Sequence, residues 1–264
     1  MKTKIMGILN VTPDSFYAES RRADVASAVA RAMELAQSGA DSIDIGGEST
    51  RPGAREVSVE EEISRVIPVL TALQGEMRIP ISIDTRKPEV AAVAIQHGAT
   101  LINDISGFSD PQMRKLAVTA GVDVCVMHMQ GTPETMQQHP HYPRGVVQEV
   151  YDFLCKRAEC LINEGVEPSR IIIDPGIGFG KTVEDNFALI RQCKVFIATG
   201  FRVLYGISRK SFIKKSLENR LVEELLPATI ACNTFLALSG VDSIRVHDVQ
   251  AHRDALRILE LCYP

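Results

Sequence analysis

Eight short apolar runs alternate with eight amphipathic stretches along 264 residues, glycines repeatedly separate a helical stretch from the next run, and polar groups collect where the runs end. Together these observations predict an α/β fold: a single (β/α)8 TIM barrel spanning residues 1–264, with its active site at the C-terminal face of the strands. Strict alternation is shared by a doubly wound open sheet, which stands as the second architecture.

In chain order, strands are expected at 5–9, 42–45, 81–83, 101–102, 122–127, 171–173, 203–205 and 243–246. These are apolar runs of the kind buried on both faces of a parallel sheet. Helices are expected at 25–37, 59–73, 88–96, 111–120, 146–163, 183–191, 221–238 and 249–261, where apolar residues recur at i, i+3 and i+4. The sequences Ser38-Gly39-Ala40, His97-Gly98-Ala99, Ala120-Gly121-Val122 and Ser239-Gly240-Val241 each end a helical stretch on a glycine suited to the left-handed position, with a strand following.

Composition narrows the function. Lys and Arg number 29 against 33 Asp and Glu, for a net charge of -4, and no basic run exceeds Arg209-Lys210 or Lys214-Lys215, which argues against nucleic acid as a partner. The six cysteines form no CxxC pair and no Cys/His ligand spacing, as expected of thiols in a reducing compartment. The N-terminal apolar run is too short for a signal peptide and no segment approaches a membrane span, so a cytoplasmic protein is expected.

A polar group follows each strand. Asn10 comes after the first; Asp44 and then Glu48-Ser49-Thr50-Arg51 after the second; Asp84-Thr85-Arg86 after the third; Asn103-Asp104 after the fourth. His128, Asp174, Ser208-Arg209-Lys210 and Arg245-Val246-His247-Asp248 complete the series. After Asp174 the chain reads Pro175-Gly176-Ile177-Gly178-Phe179-Gly180-Lys181-Thr182, a near miss to a phosphate loop, because Pro175 stands where that loop needs its first glycine.

Two carboxylates (Asp84 and Asp174), the Asn103 amide and the Lys210 ammonium suit a flat, nitrogen-rich heterocycle. A carboxylate accepts paired N–H donors, Asn offers donor and acceptor together, and Lys donates to a ring nitrogen or carbonyl. Phe179 adds an apolar wall. Asn10, Thr50, Arg51, Arg245 and His247 form an anion-binding half fitted to a diphosphate, with Asn10 offering an oxygen to a magnesium ion. His139 and His141 lack carboxylate support and read as solvated, while Asp104 and Asp248 are expected to orient neighbours or cap helices. A Schiff-base role for Lys210 is a separate, aldolase-like alternative.

Seven motifs in order resemble the dihydropteroate synthase family, the folate-pathway enzymes inhibited by sulfonamides. They are Met6 through Phe16 (MGILNVTPDSF), Gly46 through Gly53 (GGESTRPG), Ser82-Ile83-Asp84-Thr85, Ile102-Asn103-Asp104, Asp174 through Lys181 (DPGIGFGK), Ser208-Arg209-Lys210-Ser211 and Arg245-Val246-His247-Asp248.

The resemblance implies that p-aminobenzoate displaces diphosphate from 7,8-dihydropterin-6-ylmethyl diphosphate to give 7,8-dihydropteroate. It implies that Asp84, Asn103, Asp174 and Lys210 hold the pterin, with Asp84, Asp174 and Lys210 as the catalytic set. Thr50, Arg51, Arg245 and His247 would receive the diphosphate, alongside Asn10 as the Mg2+ ligand. Arg51, Pro52, Phe179, Lys210 and Ser211 would border p-aminobenzoate, where a sulfonamide would also sit. The family further suggests a homodimer, for which the apolar late helices at 225–238 and 255–261 offer a surface.

The first loop departs from the family pattern, reading Tyr17-Ala18-Glu19-Ser20-Arg21-Arg22 where many members carry Asp-Gly-Gly. Two alternatives share the pterin pocket: a methyltetrahydrofolate-type methyltransferase and a non-catalytic pterin-binding barrel. The residues assigned to diphosphate argue against the first.

Overall fold

The computed structural model describes residues 3–12, 21–50 and 53–262. Eight parallel strands form a closed barrel in sequence order: β1 (Lys4–Asn10), β2 (Ser42–Gly46), β3 (Ile81–Asp84), β4 (Leu101–Asp104), β5 (Asp123–Met127), β6 (Ile171–Asp174), β7 (Arg202–Tyr205) and β8 (Ser243–Val246). Closure excludes the open sheet: β1 pairs with β2 through Ile8 and Asp44 on one side, and with β8 through Met6 and Arg245 on the other.

The helices are α1 (Arg21–Gln37), α2 (Val59–Leu73), α3 (Pro88–Gln96), α4 (Pro111–Ala120), α5 (Val146–Glu164), α6 (Val183–Arg191), α7 (Cys193–Ile197), α8 (Ser211–Ser216), α9 (Leu226–Ser239) and α10 (Val249–Cys262). Helices α7 and α8 were not expected, and with 5 and 6 residues neither is long enough to display a helical period. The expected helix at 221–238 instead opens with a 3-10 turn at Val222–Leu225, after which Pro227 fits the first turn of α9. Local chemistry sets other helix starts: Asp110 caps α4 by accepting from the Gln112 amide at 2.7 Å, and Thr182 and Asp185 form a capping box on α6.

Alternation along each strand divides the barrel into two environments. Outward residues such as Ile43, Ile45, Ile83, Ile102, Val124, Val126, Ile173 and Val246 join Ala28, Ala32, Leu35, Val66, Leu70 and Leu154 of the helices in the main core. Inward residues Met6, Leu101, Cys125, Ile172 and Leu204 form a separate apolar plug inside the barrel. The next inward positions along several strands are polar, so the plug is the floor on which the mouth is built.

The loops over β2 and β3 are tied to the helical ring by a buried ion cluster. Lys87 donates to Glu62 of α2 at 2.6 Å and also to Glu48, while Arg86 reaches Glu48 at 3.2 Å. Glu62 is fully buried. A Cβ on Gly47 would lie 2.8 Å from Val66, and Arg65 donates to the Gly47 carbonyl at 2.6 Å, so the chain leaving β2 runs flush against α2. Lys87→Met strands the Glu62 carboxylate without its cation and is expected to lower unfolding free energy by about 3–5 kcal/mol in urea titrations. Adding Glu62→Leu should recover part of that loss, because the buried charge is then removed as well.

Candidate active site

Above the apolar plug, inward side chains of β2, β3, β4 and β8 meet in a charged layer. Arg245 donates from Nε to Asp44 Oδ2 at 2.5 Å and from Nη2 to Asp84 Oδ2 at 2.7 Å. Asp44 Oδ2 also accepts from Asn103 Nδ2 at 3.0 Å, which fixes the orientation of the Asn103 amide. Asn103 Oδ1 and Asp44 Oδ1 are buried and have no partner among the described residues, so acceptors remain open in a site closed to bulk water.

Asp84, Asn103 and Asp174 lie within the strands rather than beyond them, and all are buried. Burial raises the pKa of Asp84, with Arg245 opposing and Asp44 adding to the rise. Burial pushes Asp174 up to about 6, against the pull of the Gly176 amide, which donates to Oδ1 at 2.8 Å, and of Lys210. Lys210 is held down at about 8 by burial and by Arg245, partly offset by Asp174 and Asp84. Its ammonium stands 4.0 Å from the centroid of the Phe179 ring, a cation–π contact. Phe179 itself packs with Ile105, Met127 and Met136.

The remaining expected residues surround this layer. Asn10 ends β1, half-buried, with the inward parity of Met6 and Ile8. Thr50, also half-buried, lines a small cavity with Glu48, Asp84 and Arg86. His247 follows β8, where its amide and its Nδ1 meet Ser208 Oγ at 3.2 and 3.0 Å. A hydroxyl that accepts from the amide and donates to Nδ1 leaves the imidazole proton on Nε2. Burial and the nearby Arg245 and Arg209 hold His247 neutral, with a pKa of about 3. Ser211 opens α8 and is exposed. Arg51, Pro52 and residues 17–20 of the atypical first loop lie outside the described residues.

The loop after β6 lies against the loop after β5. Gly176 has φ of +68°, and a Cβ there would fall 1.8 Å from the His128 carbonyl oxygen, so no side chain fits. Asn186 accepts from the Gly178 amide at 2.6 Å, Gln137 donates to the Gly178 carbonyl at 2.7 Å, and Tyr142 donates to the Gly180 carbonyl at 2.7 Å.

Other expectations resolve simply. His139 and His141 are both exposed. Asp104 accepts from the Ser106 and Phe108 amides at 2.7 and 2.9 Å, and Asp248 holds Arg209 through two bonds at 2.7 and 3.2 Å.

Sequence reasoning left two features without a role. Asp44 is the hub of the charged layer, and its signal was available: a carboxylate inside the aliphatic run Ser42-Ile43-Asp44-Ile45 has inward parity. The buried contact between Lys181 and His128, at 2.9 Å from Nζ to Nδ1, joins residues 53 positions apart and has no local signature.

Among the described residues no group of three or more His, Cys, Asp or Glu side chains is placed to hold a metal alone. Asn10 nevertheless fits magnesium shared with a phosphorylated substrate, since that ion takes few protein oxygens and keeps water and phosphate ligands.

A family model described as pterin binding enzyme matches residues 6–247. The dihydropteroate synthase of Escherichia coli (strain K12) is 43% identical over 256 residues, covering 97% of this chain and 90% of that protein. Among solved structures, Xanthomonas albilineans dihydropteroate synthase with 4-aminobenzoic acid superposes with a TM-score of 0.92 at 41% identity, covering 99% of this chain and 93% of the other. Yersinia pestis dihydropteroate synthase in a sulfonamide drug complex gives a TM-score of 0.92 at 38% identity, covering 98% and 94%. A match of this extent places the chain in the pterin binding enzyme family, among the dihydropteroate synthases.

Proposed function

We propose that the charged mouth condenses 7,8-dihydropterin-6-ylmethyl diphosphate with p-aminobenzoate, releasing diphosphate and forming 7,8-dihydropteroate, by a dissociative displacement. The observation that carries this reading is the buried set of hydrogen-bond acceptors, Asp84, Asp174 and the unpartnered Asn103 Oδ1, with the donor Lys210 beside them. That pattern complements the edge of an aminopyrimidinone ring, which presents N–H groups next to a carbonyl and ring nitrogens. Asp84, Asn103, Asp174 and Lys210 therefore hold the pterin.

The diphosphate half lies beside it. Arg245 uses Nε and Nη2 within the charged layer, and Nη1 makes no bond to the described residues. Thr50, Arg51, that remaining Arg245 donor and the neutral His247 receive the diphosphate. Asn10 holds Mg2+, which when bound would offset charge on the departing diphosphate. Phe179, Lys210, Arg51, Pro52 and Ser211 border the p-aminobenzoate subsite, and sulfonamides occupy the same place.

In the reaction the methylene carbon–oxygen bond breaks and its electron pair leaves with the diphosphate. The electron-rich pterin ring stabilises the resulting cation, and Asp174 supplies the counter-charge. The arylamine nitrogen then donates its lone pair to the methylene carbon and loses a proton to solvent. No protein nucleophile takes part.

The six cysteines are all free thiols, which supports a reducing, cytoplasmic setting, and no helix among the described residues is long and apolar enough to cross a membrane. A homodimer is supported by the apolar surface of neighbouring α9 and α10, where Phe235 and Leu238 are each 44% exposed, Ile258 62% and Leu261 60%.

The direct test is diphosphate release from both substrates. It should require p-aminobenzoate and Mg2+ and should be inhibited competitively by a sulfonamide. Release that ignores p-aminobenzoate would contradict the condensation, and no release at all would return the methyltransferase or binding-protein alternatives. Asp174→Asn removes the counter-charge, and kcat/KM should fall by about 100-fold or more while the fold is retained; near-normal turnover would refute the electrostatic role.

A pH dependence follows from Asp174. Its pKa of about 6 lies above the ordinary carboxylate range, so the free protein loses stability as pH rises from about 4 to 6, where the unfolded chain gives up the Asp174 proton before the folded one does. Pterin recognition needs the ionised form. Affinity for the pterin substrate should be level above about pH 7 and fall roughly ten-fold per unit well below pH 6; titration calorimetry between pH 5 and 8 measures it, and a flat profile contradicts the assignment. For assembly, Ile258→Glu should convert a dimer to a monomer in sedimentation experiments.

A further inference from the structure

Lys181 belongs to the same glycine-rich segment as Phe179, yet no step of the reaction uses it. It is buried, and its ammonium has three acceptors for three protons: His128 Nδ1 at 2.9 Å, the Phe179 carbonyl at 3.0 Å and the His128 carbonyl at 3.4 Å. None of these partners is a carboxylate. A buried ammonium that bonds to no carboxylate is costly, and a side chain needed only for packing would serve as well as methionine. Burial lowers the Lys181 pKa to about 7, with Asp174 and Asp185 opposing the fall and Lys210 adding to it. The same burial, together with Lys181, takes His128 down to about 2, so the imidazole is neutral and its Nδ1 is an acceptor.

The position of these bonds gives them a consequence. Phe179 contacts Lys210 through its ring and Lys181 through its carbonyl, and His128 continues β5 into its loop. Lys181 thus ties the backbone of the aromatic wall to the neighbouring strand end. The Asn186, Gln137 and Tyr142 contacts hold the flanking glycines, whereas Lys181 holds the carbonyl of Phe179 itself.

We infer that Lys181 is a positioning residue that fixes Phe179 at the p-aminobenzoate subsite by pinning its carbonyl to the end of β5. The inference rests on the reading of Phe179 as a wall of that subsite. It separates Lys181 from Lys210: the first shapes the site of the second substrate, and the second touches the pterin.

The test compares the full-length chain with Lys181→Met, with Lys181→Gln as a milder variant should the first not fold. Lys181→Met is expected to raise KM for p-aminobenzoate about ten-fold while KM for the pterin diphosphate stays within about two-fold. In a Phe179→Ala background, the same change should have no further effect on KM for p-aminobenzoate, because both act through one wall. Equal rises in both KM values, no rise, or an undiminished effect in the Phe179→Ala background would each overturn the inference. Hydrogen exchange gives a readout independent of turnover: amides at 176–180 should exchange faster in the variant while those of β5 and β6 do not change. Unaltered exchange there overturns the positioning role even if the wild-type chain proves to have another activity. Failure of wild-type diphosphate release, by contrast, counts against the assigned reaction.

Discussion

The site depends on Arg245 lying between Asp44 and Asp84. A carboxylate facing the inside of a barrel is surrounded by low-dielectric material and costs several kcal/mol unless a cation and hydrogen bonds compensate it. Arg245 makes that compensation twice, at 2.5 and 2.7 Å. Asp44 can then remain fully buried and accept from the Asn103 amide, which turns the Asn103 oxygen away from the network and leaves it unpartnered. One guanidinium therefore orders three strands' worth of polar side chains. Without it, Asp44 and Asp84 would face each other as uncompensated charges, and the amide of Asn103 would lose the bond that orients it.

The same arrangement brings residues from several strands to one mouth. Asp84, Asn103 and Asp174 come from β3, β4 and β6, while Arg245 lies on β8, His247 just after it and Asn10 on β1, with Arg245 bonded across to Asp84 and Lys210, after β7, against Phe179. The plug formed by Met6, Leu101, Cys125, Ile172 and Leu204 closes the floor, so the charges cannot relax toward the opposite end of the barrel. Low dielectric strengthens every remaining interaction in such a place, including those that form only as charge develops during the reaction.

Much of the fold was legible because it is written in runs and periods. The strand at 171–173 is three isoleucines before an aspartate, and the helix at 111–120 carries both its cap and its first-turn proline in sequence. Asp174, Asp84 and Asn103 stood out because a polar residue at the end of an aliphatic run has few purely structural uses. Helices α7 and α8 escaped because fewer than two turns contain no period. The role of Arg245 was only half legible: its affinity for phosphate follows from its chemistry, but its bonds to Asp44 and Asp84 span 201 and 161 residues and arise only from barrel closure. The Lys181–His128 contact was hidden for the same reason.

The groups that reach the mouth also bear on the kind of catalysis the barrel supports. Burial and the nearby Asp174 push the Cys125 thiol well above its usual pKa, so it is held as a neutral packing group in the plug. Asp84 is bound to Arg245 and Asp174 to the Gly176 amide, so each carboxylate has an oxygen restrained by the fold. His247 is neutral and its Nδ1 bond goes to the Ser208 hydroxyl, not to a carboxylate that would set it up as a general base in a relay. What remains is a set of fixed charges and dipoles at the mouth of the barrel. A reaction whose transition state separates a stabilised carbocation from a leaving diphosphate needs such a set more than it needs an attacking side chain, because the work lies in supporting opposite charges a few ångströms apart. The rigidity conferred by the buried ion network is then part of the chemistry, since dipoles already in place need not reorganise as those charges form.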